Sequence, residues 1–90
     1  MGLFTKEVAI DLGTANTIII ANGKIVLDEP SVIAINVKTE KVEAIGKEAQ
    51  RMIGRTPPDV KTFRPIKDGV IADFHAAELM IRGMIAMADL

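Results

Sequence analysis

The sequence predicts an α/β fold, and three features predict it: short runs of β-branched residues, an Asn-Gly pair between two of them, and one long helix introduced by an aspartate. Val8 to Leu12 is the first apolar run, and Gly13 ends it. Thr17 to Ala21 is a second run, so Gly13 to Asn16 forms a tight turn between two strands. Asn22-Gly23 follows immediately. Both residues tolerate positive φ, which a two-residue type I′ hairpin requires, and Lys24 to Asp28 therefore becomes a third strand. The first 28 residues thus read as an antiparallel three-stranded meander. The near-continuous apolarity of its first two strands predicts that both faces are covered.

Glu29-Pro30 should break the meander, because proline lacks an N–H and pushes its predecessor out of the helical region. Beyond it, Ser31 to Val37 and Lys41 to Ile45 read as strands around the polar Lys38-Thr39-Glu40 turn. A short helix is expected from Lys47 to Ile53, closed by Gly54, and Arg55 to Asp59 with Pro57-Pro58 reads as loop. Between Lys38 and Lys67 eight Lys and Arg stand against Glu40, Glu43, Glu48 and Asp59, giving this stretch a net charge of +4 within a chain of net −1. A solvated surface is the plain reading of that excess, and of Lys61, Arg64 and Lys67 within it. Asp73 is a good N-cap for a last helix, Phe74 to Met87, with Phe74, Ala77, Ile81, Met84, Ile85 and Ala88 on one face. Core packing is the expected use of Met80, Met84 and Met87. From Met80 to Leu90 only Arg82 and Asp89 are charged, so this end should need further chain to cover it, and the sequence reads as part of a longer protein.

Composition narrows the function. At 90 residues the chain forms at most one ordinary domain, and with 49% hydrophobic and 26% charged residues it is built to fold. It has no Trp, no Tyr and three Phe, so it lacks the stacking platforms of a nucleic-acid binder, and its net charge of −1 argues the same way. No cysteine is present, which rules out disulfides, thiolate metal sites and thiol catalysis and suits a reducing cytoplasm. No run reaches the roughly 18 apolar residues of a spanning helix, and no export signal is expected. His75, the one histidine, has no second ligand at metal spacing and reads as structural or solvated.

One stretch carries chemistry: Asp11-Leu12-Gly13-Thr14-Ala15-Asn16-Thr17, a strand, a small-residue turn and a strand. Small side chains let successive backbone N–H groups converge on an anion, and Thr14 and Asn16 add side-chain donors. Asp11, just before the turn, places a carboxylate where a phosphate-bound Mg²⁺ would sit, and Mg²⁺ typically takes only one or two protein carboxylates. The bland reading of the same residues is a hairpin turn closed by a local side-chain hydrogen bond. Asp73 is similarly explained by helix capping without any metal.

The turn does not stand alone. Asp11 to Thr17 resembles the first phosphate motif of the actin, sugar-kinase and heat-shock-chaperone ATPase superfamily. Asp28-Glu29-Pro30-Ser31-Val32-Ile33-Ala34, and then Arg64 through Phe74, are similar to segments of the rod-shape-determining bacterial actins. The three matches fall in the right order and cover nearly the whole chain; the chaperone ATPases share the first and not the last.

That resemblance implies the N-terminal part of a ribonuclease-H-like actin fold: residues 1–29 as the start of the core with the phosphate turn, 30–72 as a smaller inserted unit, and 73–90 as a helix returning to the core. It implies ATP or GTP with Mg²⁺, held here by Gly13, Thr14, Ala15 and Asn16 for phosphate and Asp11 for the metal. It implies self-association into filaments, a place at the inner face of the cytoplasmic membrane, work with the cell-wall elongation machinery, and no nucleic-acid partner. The family's second phosphate loop and water-orienting acid match nothing here, so no catalytic residue is assigned and these 90 residues alone are expected to lack ATPase activity. Met1, Leu3 and Phe4 ahead of Lys6 are a candidate membrane-inserting tail. Rival readings are another ATPase of the same fold, of chaperone or sugar-kinase type, and a stand-alone module that kept the turn and lost the enzyme.

Overall fold

A computed structural model describes residues 7–89; the Met1–Phe4 tail lies outside the described residues. Strands β1 (Val8–Leu12), β2 (Asn16–Ala21) and β3 (Lys24–Pro30) form an antiparallel sheet in that order. Asn22 at φ 52° and Gly23 at φ 79° make the turn that the Asn-Gly pair predicts. β3 runs two residues further than expected, through Glu29 and Pro30. Pro30 is tolerated because β3 is an edge strand, where a missing N–H removes no ladder bond. The break comes at Ser31, where the Val32 N–H donates to the Pro30 carbonyl at 2.9 Å.

A second antiparallel sheet has the order β5 (Val42–Ile45), β4 (Ile33–Asn36), β6 (Val60–Phe63), and a two-stranded ribbon pairs β7 (Ile66–Lys67) with β8 (Val70–Ile71). The last three strands are absent from the sequence reading: each is only two to four residues long, too short for periodicity to register against the surrounding charge. Helix α1 spans Lys47–Arg51, two residues short of the expectation. The chain there tightens into i→i+3 bonds, Met52 N–H to Ala49 O and Ile53 N–H to Gln50 O, as helix ends commonly do.

Helix α2 spans Phe74–Met87 as predicted, and the Asp73 side chain accepts from the Ala76 N–H at 3.0 Å. Its buried face differs from the expected one: Ala76, Ala77, Met80 and Met84 are buried, while Phe74 is 76% and Met87 50% exposed. The helix lies too close to the second sheet for large side chains along the whole line of contact. Alanines occupy its first turn there, and a Cβ at Gly83 would run into the Ile45 side chain. No described helix is long and apolar enough to cross a membrane.

One core joins these layers: Ile19 and Leu27 from the first sheet, Ile33 and Ile35 from the second, Ile66 from the ribbon, and Ala76, Met80 and Met84 from α2. Burying each large aliphatic side chain contributes roughly 1.5–3 kcal/mol. A smaller cluster, Val32, Ala34, Ala49 and Val60, packs α1 onto the other face of the second sheet. β1 is exposed over Val8 to Asp11, and among the described residues only the Thr17, Ile19 and Ala21 face of this sheet is covered.

Candidate phosphate-binding turn

The turn between β1 and β2 is short because β1 pairs directly back on β2, Leu12 opposite Thr17 and Asp11 opposite Ile18. The Gly13 N–H donates to the Asn16 carbonyl at 3.0 Å and closes it. Gly13 is required by space: an added Cβ would sit 2.5 Å from that same carbonyl oxygen. Thr14, Ala15 and Asn16 are exposed, and the N–H groups of Thr14 and Ala15 donate to no acceptor among the described residues. Exposed backbone donors left without a protein partner are available to an anion or to water.

The side chains around the turn are held from outside it. Thr14 Oγ1 accepts from the Gly69 N–H at 2.8 Å, in the β7–β8 turn, which leaves its own hydroxyl hydrogen free to donate. Asn16 Nδ2 donates to Asp28 Oδ1 at 2.9 Å and keeps its second hydrogen. Thr17 and Ser31 are fully buried; their hydroxyls lie 2.7 Å apart, and Ser31 Oγ donates to the Gly13 carbonyl at 2.7 Å. No buried side-chain polar atom of the described residues is left without a partner.

Asp11 is exposed and forms no ion pair among the described residues. Ile18 faces Asp11 on one side and Asp28 on the other, so the two carboxylates lie on one face of the sheet, about 10 Å apart by strand spacing. Two carboxylates make this face of the sheet negative, and a cation there would relieve the repulsion of an anion brought to the turn. No three His, Cys, Asp or Glu side chains among the described residues gather into a metal cage. Mg²⁺ is usually held through one or two carboxylates together with phosphate oxygens, a number that Asp11 and Asp28 could supply. The donor set fits a phosphate with a hard divalent cation.

The other candidates sit elsewhere. Asp73 caps α2 and His75 is exposed beside it. Lys61, Arg64 and Lys67 are exposed, and Lys38 pairs loosely with Asp59 at 3.7 Å. A surface cavity of about 500 Å³ lies away from the turn, between β5, α1 and the end of α2, lined by Glu29, Ile45, Lys47, Arg51 and Met87 among others. Sequence reasoning missed Asp28, Ser31 and Gly69 as neighbours of the turn. Asp28 and Ser31 lie in a segment singled out for its resemblance, but the resemblance says nothing of which way they face.

The family model for MreB/Mbl protein matches residues 5–90. The chain is 52% identical over 88 residues to the cell shape-determining protein Mbl of Bacillus cereus, covering 97% of this chain and 26% of that protein. It is 54% identical over 89 residues to the cell shape-determining protein MreB of Haemophilus influenzae, covering 93% and 25%. It thus spans about a quarter of the length of these relatives. Among solved structures, MreB 5 of Spiroplasma citri bound to AMPPNP superposes with a TM-score of 0.85 at 36% identity, covering 97% of this chain and 26% of that one. The ADP-bound form of MreB5 gives 0.82 at 37%. The antiparallel meander, the inserted sheet and the returning helix are accordingly the N-terminal part of the MreB actin fold, and the chain belongs to the MreB/Mbl family.

Proposed function

We propose that this chain supplies the first phosphate-binding turn of a nucleotide-dependent, cell-shape-determining cytoskeletal filament protein. The observation that carries it is the pair of unpartnered N–H groups of the exposed Thr14 and Ala15, with the exposed Asp11 near the end of the preceding strand. The AMPPNP and ADP held by its structural relatives support an adenine nucleotide, ATP, over GTP. Gly13 permits the close approach, Thr14 and Ala15 donate from the backbone, and Thr14 and Asn16 each add one side-chain hydrogen. Asp11 holds Mg²⁺ or its waters. When bound, Mg²⁺ neutralises charge shared between the phosphate oxygens and the carboxylates.

Contacts from the turn to a terminal phosphate would favour the closed, polymerising form, and loss of that phosphate would weaken it. Filaments of this kind would gather at the membrane and recruit the wall-elongation machinery. Weak tails such as Leu3 and Phe4, multiplied along a polymer, give attachment that one subunit lacks. Changing both to Ser in the full-length protein should abolish co-sedimentation of filaments with liposomes and leave polymerisation intact.

The nucleotide site is tested by Asp11→Ala in the full-length protein. Titration calorimetry should show weaker nucleotide binding with Mg²⁺ and little change in its absence, at unchanged thermal stability. Identical affinity of variant and parent with Mg²⁺ present would take Asp11 out of the site.

A further inference from the structure

We infer that Ser31, which touches no nucleotide in this reading, is the positioning residue that aims the turn's first donor, the Thr14 N–H, outward. The inference rests on the phosphate-binding role proposed above and assigns the part that sets the geometry of that site. Two bonds from one residue carry it: the Ser31 N–H donates to the Ala15 carbonyl at 2.9 Å, and its hydroxyl donates to the Gly13 carbonyl at 2.7 Å.

The direction of the neighbouring bond follows from counting hydrogens. A serine hydroxyl has one, and Ser31 spends it on Gly13 O, a group that can only accept. The 2.7 Å contact between Thr17 and Ser31 is then Thr17 O–H donating to Ser31 Oγ, and the three groups form a chain from Thr17 through Ser31 to Gly13. Thr17 and Ser31 are 0% exposed, so water cannot substitute for either hydroxyl.

The consequence lies in the peptide plane. In a trans peptide the C=O of one residue and the N–H of the next point in opposite directions. No cis bond occurs among the described residues. Drawing the Gly13 carbonyl toward the buried hydroxyl turns the Thr14 N–H the other way, to the exposed side. The Ser31 N–H holds the Ala15 carbonyl on the β3 side and so fixes the other end of the turn. The Gly13 carbonyl, once taken by Ser31, is also withheld from the i→i+3 bond by which Asn16 N–H would ordinarily close a β-turn. Ser31 thereby keeps the turn in an anion-receptive state before any anion arrives, which removes a cost of ordering from the binding step.

The test compares parent, Ser31→Ala, Ser31→Cys and Thr17→Val as full-length proteins, measuring affinity for Mg²⁺-ADP and for adenosine together with the nucleotide-free melting temperature. The ratio of the two affinities isolates the phosphate contribution, which general destabilisation would not move. Ser31→Ala should lower the ratio by roughly ten-fold, the scale of one misdirected hydrogen-bond set. Ser31→Cys keeps the size with a weaker donor and should fall in between, and it carries the test if the alanine variant does not fold. Thr17→Val leaves the bond to Gly13 intact and should cost stability with little change in the ratio. A parent that binds ADP no better than adenosine overturns the phosphate role itself. A parent with strong phosphate preference that both Ser31 variants retain overturns the positioning role alone.

Discussion

In the sheet of β4, β5 and β6, the segment from Val32 to Ile35 alternates between two apolar clusters, Ile33 and Ile35 with Met80 and Met84 on one side, Val32 and Ala34 with Ala49 on the other. In the meander β1–β3, Ile19 and Leu27 reach the core, while the opposite face carries Asp11, Asn16 and Asp28 in the open. Both regions begin from similar apolar, β-branched strands. The first is held by packing, which is insensitive to direction. The second is fixed near its turn by a few directional bonds, Thr17 through Ser31 to Gly13, Asn16 to Asp28 and Thr14 to Gly69. Packing sets stability, and the directional bonds set where donors point. Substitutions in the two regions should therefore separate stability from binding.

The largest loss of stability is expected from Ile33→Ala. Ile33 is 0% exposed at the meeting of both sheets with α2, and truncating such a residue costs about 2–5 kcal/mol once the cavity is included. Denaturant unfolding of the full-length protein, followed by circular dichroism, reads this directly. The variant that remains folded should bind nucleotide with parental affinity. A proportionate loss of affinity would mean that the packed sheet and the turn are energetically coupled.

Gly13→Ala should behave in the opposite way. Its Cβ would meet the Asn16 carbonyl at 2.5 Å, which forces the turn to open and misdirects the Thr14 and Ala15 donors. Overpacking at such a site costs about 1–3 kcal/mol, less than the core truncation, yet nucleotide binding should fall below detection. Retention of binding would show that the turn has slack.

How much of this was legible in the sequence depends on the kind of interaction. The Asn-Gly hairpin, the Asp73 cap and the bounds of α2 follow from local rules and match the structure. Asp28 illustrates what does not. Counting pairs outward from Asn22-Gly23 places Asp28 opposite Thr17, on the covered face. The register shifts between Ile19 and Ile20, Val26 is the extra residue, and Asp28 lands opposite Ile18 instead, on the face of Asp11. A one-residue bulge inverts every side chain beyond it, and no residue type in this run announces it. The buried face of α2 departs from its periodicity for a related reason. Periodicity locates an apolar stripe, but the closeness of the sheet decides that alanines and Gly83 lie against it and that Phe74 faces out. Ser31 reads in sequence as a polar residue after a proline, and only the tertiary fold brings it beneath the turn.

The smallest expected effect sharpens the contrast from the side of charge, because Asp73 is a carboxylate whose work is structural. Its side chain accepts from the Ala76 N–H at 3.0 Å and so satisfies one of the orphan donors at the start of α2, a helix that contributes Ala76, Met80 and Met84 to the common core. Removing an N-cap of this type costs about 1 kcal/mol, and asparagine replaces aspartate at such positions with little loss. Asp73→Ala should therefore lower unfolding free energy by that amount, and Asp73→Asn by a few tenths at most. Neither should alter the Mg²⁺ dependence of nucleotide binding, in contrast to Asp11→Ala, although both residues are acidic and sit at the ends of regular elements. The decisive arm is Asp73→Asn, which keeps the cap and discards the charge. If it weakens binding only when Mg²⁺ is present, Asp73 serves the metal as well as the helix, and the division between directional site and packed core has to be redrawn around α2.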